Sequence, residues 1–482
     1  MSTEINSPDY ESPEYLSMLT ALKLPEALMG GTNTMRGAGT LFLPQEEGET
    51  DQVYQSRLAR TFLFGAFDRA ISILTGQVFD KPVTLSEDAP DAMKEYVENI
   101  DLQGKNLTRF CKDLFEPALY NGAGFILVDT PPLPQDAEGN PIPTTVQQDT
   151  ELGRRLYWTA IPGPNLLGGQ VSFEGGRLVY EQIRILENLK EADGAYGTKD
   201  VIQIRVLYPG RWETYRDNGT GNQSDWALYE EGTSPLSYIP LVPYFTGTQL
   251  SAFIAAPPLQ GLAELNQAHW ISSSDQNNVL HFARVPFLFG KGLTKNDAGQ
   301  VIISPRNLFH SDNPDSDLKF VEHSGKAISD GWKDLERLEM QMSLWGLELL
   351  SEHRSGNVTA TEKAVTSAKT GSFLNSIALD LQDCLNTAMA YSCDILGIEN
   401  TGTITVNTDF SLALSSFDTT ILLNAYKLGL LDRATVIDEF KRRGLISENA
   451  DAVEIASALE QDARTSSPLG QLGGSILSDT VL

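Results

Sequence analysis

Apolar positions recur along the chain with two spacings, one helical and one strand-like. The clearest helical series is Ile328, Trp332, Leu335, Leu338, Met342, Trp345 and Leu349, in steps of four, three, three, four, three and four, which trace one helix face. A second series passes through Ala364, Ala368, Gly371, Leu374, Ile377, Leu381, Leu385, Ala388 and Ile395, and predicts a single helix from Ala360 to Leu396. At about 1.5 Å per residue that helix is roughly 50 to 55 Å long, an unusual length for a compact enzyme. Between the two, Ser351 to Val358 has loop composition, and Thr359 with Glu362 forms a capping-box pattern.

Upstream, Val53, Leu58, Phe62, Leu63, Ala66, Ala70, Ile73 and Leu74 predict one amphipathic helix over Asp51 to Gln77, stopped by Gly76. Leu107 to Tyr120 predicts another, ending at Asn121 and Gly122. Leu259 to Phe282 is compatible with a helix, but Leu262, Leu265, Ala268, Trp270, Val279 and Leu280 give it a thin apolar face for its length.

Strand-like segments occupy the middle of the chain. Gly124 to Asp129 reads as a short buried strand, followed by a Pro-rich loop over Pro131 to Pro143. Trp158 to Ile161, Leu178 to Ile185, Val201 to Tyr208, Trp226 to Tyr229 and Leu241 to Phe245 follow, separated by turn-rich pieces such as Asp217 to Asn222. A smaller β-rich excursion spans Arg284 to Lys326, with candidates at Pro286 to Phe289, Val301 to Ser304 and Leu318 to Val321. The fold class is therefore α+β.

Both ends are less regular. Residues 1–50 hold short helical candidates such as Glu14 to Leu22, broken by Pro25, Gly30, Gly31 and Pro44, and suggest an arm or peripheral layer. After Gly397, Thr403 to Phe410 predicts an alternating strand, and Thr419 to Leu428, Asp432 to Arg443 and Ala450 to Ala463 predict three short helices. Arg464 to Leu482 reads as a disordered tail. There is no internal repeat.

Charge narrows the function. With 36 basic against 64 acidic residues, the formal charge of −28 argues against a protein that grips nucleic acid over a broad surface. It leaves DNA passage open, since a channel benefits from weak attraction. No apolar run is long enough for a membrane helix and the start lacks a secretory pattern, so a soluble chain without membrane association is expected. Cys111, Cys384 and Cys393 read as buried thiols in a reducing cytoplasm.

Catalytic signatures are missing. There is no G-x-x-x-x-G-K-[ST], no H-E-x-x-H and no G-x-S-x-G, and His269, His281, His310, His323 and His353 lie singly. No cofactor, metal or catalytic residue is expected. Trp332 and Trp345 fall on an apolar helix face, which suits packing in a core or a subunit interface. Arg354 has two readings, a solvated surface cation or a DNA-facing charge repeated around a ring.

The order from Pro257 onward resembles the portal proteins of tailed bacteriophages: a helix, a β-rich insert, a returning helix, a short loop, a long Ser/Ala-rich helix, a strand and short terminal helices. Leu428 to Val436 looks like the portal phrase in which one helix ends at glycine and the next opens on a polar cap, and Tyr120 to Val128 is similar to the helix-to-strand passage of the wing. The resemblance implies a portal-like fold assembled as a ring of about twelve subunits. Its parts would be an N-terminal arm (1–50), a β-rich wing (51–256), a first stem helix (257–283), a clip (284–326), a second stem helix (327–352), a tunnel loop (353–360), a long wing helix and strand (361–418), a helical crown (419–464) and a tail (465–482).

By the same resemblance, Arg354, Ser355, Gly356, Asn357 and Val358 would face DNA at the constriction. Arg306, Asn307, His310, Asp312 and Asn313 of the clip would meet the motor and adaptor, and Trp332, Leu335, Leu338, Met342 and Trp345 would pack stem against stem. The implied role is non-enzymatic: a channel at the capsid vertex for packaging and ejecting double-stranded viral DNA, assembled in the host cytoplasm and carried in the virion. Its partners would be the terminase large subunit, a head-tail adaptor, and the major capsid and scaffold proteins. Two other readings stand beside it, a cytosolic α+β hydrolase using an acidic pair and a different head-tail adaptor of the virion.

Overall fold

A computed structural model describes residues 7–131, 142, 148, 152–218, 225–234, 236–284, 287–291, 315–321, 326–344, 360–399, 401–408, 410, 426, 428, 435–437 and 440. The chain divides into two compact units, Met1–Thr408 and Asp409–Leu482. In the second unit Thr435, Val436 and Ile437 are helical and the last two are buried. Most of Thr419 to Ala463, where three helices are expected, lies outside the described residues, as does the tail.

In the first unit the helices are α1 (Pro13–Met29), α2 (Gly31–Ala38), α3 (Asp51–Arg60), α4 (Ala66–Val78), α5 (Asp91–Glu98), α6 (Leu107–Asn121), α7 (Gln260–Ala283), α8 (Lys326–Leu344) and α9 (Ala360–Leu396). The expected helix over Asp51 to Gln77 is in fact two, α3 and α4. Thr61 leaves helical geometry (φ −71°, ψ 135°), and the Arg36 guanidinium donates to its carbonyl oxygen at 2.8 Å, holding the break open from outside the segment. The thirteen residues of α4 run past Gly76 to Val78, and Phe62 and Val53, expected on the apolar face, are exposed.

Residues 1–50 also differ from expectation. Ser12 caps α1 by accepting the Tyr15 N–H at 3.1 Å, and the helix continues through Pro25. Tyr15, Met18 and Leu22 pack into the same core cluster as Phe125, Ile183 and Ile204. A segment read as a peripheral arm is thus part of the main core, because an i, i+3, i+7 apolar stripe overrides a single proline.

The core is built around strand β2 (Ala123–Asp129), which follows the two-residue strand β1 (Thr84–Leu85). Strand β2 is buried from Ala123 to Val128 and lies between β3 (Tyr157–Pro162) and β9 (Leu241–Phe245), antiparallel to both. Helix α6 delivers the chain to it. Asn106 accepts the Arg109 N–H at 2.9 Å to start that helix, and Gly122 ends it in the left-handed region (φ 84°), where a Cβ would sit 2.7 Å from the Ala255 carbonyl oxygen.

Beside this lies a five-stranded antiparallel meander of β4 (Leu166–Glu174), β5 (Arg177–Asp193), β6 (Gly197–Tyr208), β7 (Arg211–Asp217) and β8 (Trp226–Thr233). Strands β4 and β7 were not anticipated: Gly168 and Gly169 interrupt the first, and Arg211, Glu213, Arg216 and Asp217 leave the second without an apolar run. Strands β5 and β6 run longer than their apolar runs, pairing out to Asp193 and Gly197. Thr248–Gln249 and Ala255–Ala256 form the small pair β10 and β11.

Helix α9 covers the three-stranded sheet and matches its expected bounds. Trp158 donates its indole N–H to Ser392 Oγ at 2.8 Å, and the Tyr244 hydroxyl donates to the Ile377 carbonyl at 3.1 Å. Leu374, Ile377, Ala378, Leu381, Leu385 and Ala388 are buried along one stripe. The alternating strand expected over Thr403 to Phe410 shrinks to β14 (Ile404–Thr405), paired with β1. The side chains of Asn386 and Gln382 bond the backbone of Ile404 and Val406, so helix amides replace ladder partners there.

Candidate functional site: a helix hairpin carrying a β insert

Helices α7 and α8 pack side by side in opposite directions. Gln276 donates to the Ile328 carbonyl at 2.8 Å, Ser272 donates to Asp334 Oδ2 at 2.9 Å, and His269 Nε2 lies 3.7 Å from Glu339 Oε1. As the first member of each pair moves back along α7, the second moves forward along α8, which is the signature of an antiparallel hairpin. Gly331 leaves room for Gln276, since a Cβ there would lie 2.0 Å from Gln276 Oε1.

The hairpin's outer end carries a two-stranded ribbon of β12 (Phe287–Lys291) and β13 (Asp317–Val321), in register from Phe287 with Val321 to Lys291 with Asp317. The expected third candidate, Val301 to Ser304, lies outside the described residues.

Helix α7 is seated on its other side against α3 and the turn that follows it. Arg57 is 2% exposed and pairs with Glu49 through two bonds, at 2.9 and 2.8 Å, while its remaining donors reach the Pro44 carbonyl and Ser274 Oγ. Asp275 lies 3.5 Å from the same guanidinium. Ser274 also bonds Thr61 at 2.8 Å, and Arg60 donates to Asn278 at 3.2 Å. Nearer the start of α7, Asn266 accepts the Phe67 N–H at 2.9 Å and donates to the Phe64 carbonyl at 2.8 Å.

These contacts set the charges. The bonds from Arg57 hold the Glu49 carboxyl below the usual carboxylate range, whereas burial pushes Asp275 up. Burial lowers His269 despite Glu339 and Asp334 nearby, so it is neutral at physiological pH. The thiols of Cys111 and Cys384 are pushed up by burial and are therefore protonated at neutral pH. Among the described residues no group of three or more His, Cys, Asp or Glu is arranged to hold a metal ion, and no helix is long and apolar enough to cross a membrane.

Of the residues expected to pack stem against stem, Leu335, Leu338 and Met342 are buried within the single chain. Trp332 is 49% exposed, which excludes a core role and leaves the surface one. Met340, which the helical series did not include, is also exposed on α8. Trp345, the loop residues Arg354, Ser355, Gly356, Asn357 and Val358, and the insert residues Arg306, Asn307, His310, Asp312 and Asn313 lie outside the described residues. Sequence reading missed Arg57, Thr61 and Ser274, for a cation next to Leu58 and a serine in a Ser-rich helix give no periodic signal of burial.

Comparison with known proteins gives three findings. A family model described as a domain of unknown function, DUF4055, matches residues 258–394, the span from the start of α7 to near the end of α9. No curated protein matches the chain. Among solved structures, the chain is similar to one from the neck of a native GTA particle computed with C12 symmetry (9% identity, 77% of this chain and 88% of that one, TM-score 0.39). It is also similar to chains from the virion of the native gene transfer agent particle (11%, 85% and 97%, 0.39) and from the neck of the empty particle computed with C6 symmetry (11%, 86% and 98%, 0.40).

Proposed function

We propose that this chain is a portal-type subunit of a phage-like particle, a structural protein that assembles with copies of itself into a ring around a DNA channel. The observation that carries the reading is the antiparallel α7–α8 hairpin with a β ribbon at its outer end, followed by a single 37-residue helix that lies across the sheet core. In this reading α7 and α8 are the stem, residues 284–326 the clip, residues 353–360 the tunnel loop, α9 the long wing helix and 419–464 the crown. The wing takes in residues 51–256 together with the N-terminal segment that packs into its core.

The physical argument for a ring is surface left uncovered. Trp332 and Met340 are exposed on α8, and a neighbouring stem would cover them. A formal charge of −28 suits a wall along which DNA slides, because exposed acidic groups repel the polyanion and the repulsion is screened beyond about 8 Å at physiological salt. A few cationic loop residues, Arg354 first among them, would then make the only close approach. About twelve copies, the terminase large subunit, a head-tail adaptor, and capsid and scaffold proteins are the partners this role requires, at the portal vertex of a virion assembled in the host cytoplasm.

The test is Arg354→Glu in particles assembled with the full chain. Packaged or retained DNA should fall while ring assembly continues. Unchanged packaging and retention would overturn the assignment of this loop to the channel.

A further inference from the structure

Buried contacts are unevenly spread along the hairpin. In the first half of α7 the buried apolar residues are Leu262, Ala263 and Trp270, and facing them in the second half of α8 are Leu335, Leu338 and Met342. From Ile271 to Ala283 the buried residues among those described are Ser274 and Gln276, both polar, and from Ile328 to Asp334 none is buried. The outer half is held by directed polar contacts: Ser272 to Asp334 and Gln276 to the Ile328 carbonyl between the helices, and Ser274, Asp275 and Asn278 to Thr61, Arg57 and Arg60 on the body side.

This difference has a mechanical consequence. Sliding or tilting an apolar seam exposes surface that water does not solvate well, so such a seam resists motion. A polar seam exchanges partners or accepts water with little net loss, as long as no charge is stranded in the interior. The body side of the seam is itself fixed, because Arg57 is tied to Glu49 and the Pro44 carbonyl, and Arg36 pins the Thr61 carbonyl. One half of the hairpin is thus anchored and the other rests on a polar seat.

We infer that the outer half of the hairpin, residues 271–283 and 326–334 with the β ribbon at its end, is a lever that swings about Trp270, and that Arg57, Thr61 and Ser274 are the latch holding its resting position. The lever rests on contacts within one chain; because Trp332 lies on it and would meet a neighbouring stem, wild type and variants are compared in the same assembly state. Releasing the latch frees the outer half while the inner half stays packed.

Amide hydrogen exchange on the full-length protein tests this with Arg57→Ala and Ser274→Ala. In Arg57→Ala, exchange in 272–283 and 326–334 should rise about tenfold or more, while 260–270 and 335–342 keep their wild-type rates. The lever is overturned if the inner half speeds up to the same extent, or if neither half changes. Arg57→Ala strands Glu49, so if that variant does not fold, Ser274→Ala decides: it removes one hydroxyl and should give a smaller rise confined to the same outer segments, and a uniform change or none overturns the inference.

Discussion

The indole N–H of Trp158 and the hydroxyl of Ser392 meet at 2.8 Å with both residues fully buried, joining the sheet to the long helix across 234 positions of sequence. The Ser392 hydroxyl in turn donates a hydrogen bond to the Ala388 carbonyl at 2.9 Å, so the indole starts a short donor chain that ends on the helix backbone. Ser392→Ala removes the acceptor and leaves a buried donor without a partner. The expected loss is about 1–3 kcal/mol, read by urea unfolding, and Trp158→Phe in the same background should recover part of it by removing the stranded group.

Arg57 and Glu49 form a buried pair in which truncating one partner strands the other. Arg57→Met should cost about 3–5 kcal/mol, more than Glu49→Gln, and a double-mutant cycle should return a coupling of at least about 1 kcal/mol. The pH dependence has a definite sign. Glu49 is lowered in the fold, so its contribution is fully present above its unfolded pKa of about 4.3 and is lost as pH falls through the lower folded value. Glu49→Gln should flatten the acid limb of the stability profile, and a profile identical to wild type would contradict the pairing.

His269 works in the other direction. Burial lowers it in the fold, so the unfolded chain binds its proton first, and stability declines as pH drops below about 6.5. His269→Asn should remove that slope below about pH 6.5, measured as the difference between variant and wild-type melting curves. A difference that stays constant with pH would contradict a neutral, buried imidazole.

On α8, neighbouring positions separate folding from assembly. Leu338→Ala, at a buried position, should cost about 2–5 kcal/mol of stability. Trp332→Ala, at an exposed one, should leave the melting temperature within about a degree or two while weakening association between copies. Sedimentation and thermal melts on the same preparations check both.

Sequence periodicity found what local pattern controls and missed what distant partners impose. Helix α9 was readable end to end because its stripe from Leu374 to Ala388 repeats at helical spacing and Gly397 follows it. The break at Thr61 was not, because Arg36 creates it from another helix, and the apolar spacing runs through Phe62 and Leu63 without interruption. Strand β14 shortened for a similar reason: Asn386 and Gln382 take the backbone groups a longer ladder would have used. The thin apolar face of Leu259 to Phe282 was visible from the start, but its cause, a polar seat made by Arg57, Thr61 and Ser274, needed the tertiary structure.

The proposed ring makes the sharpest demand on the purified full-length protein, namely its native mass together with negative-stain images. Closed rings with a central hole and a mass about twelve times that of the subunit are expected, with Trp332→Ala shifting the population toward smaller species. A homogeneous monomer at micromolar concentration, with no rings in the images, would contradict the portal reading.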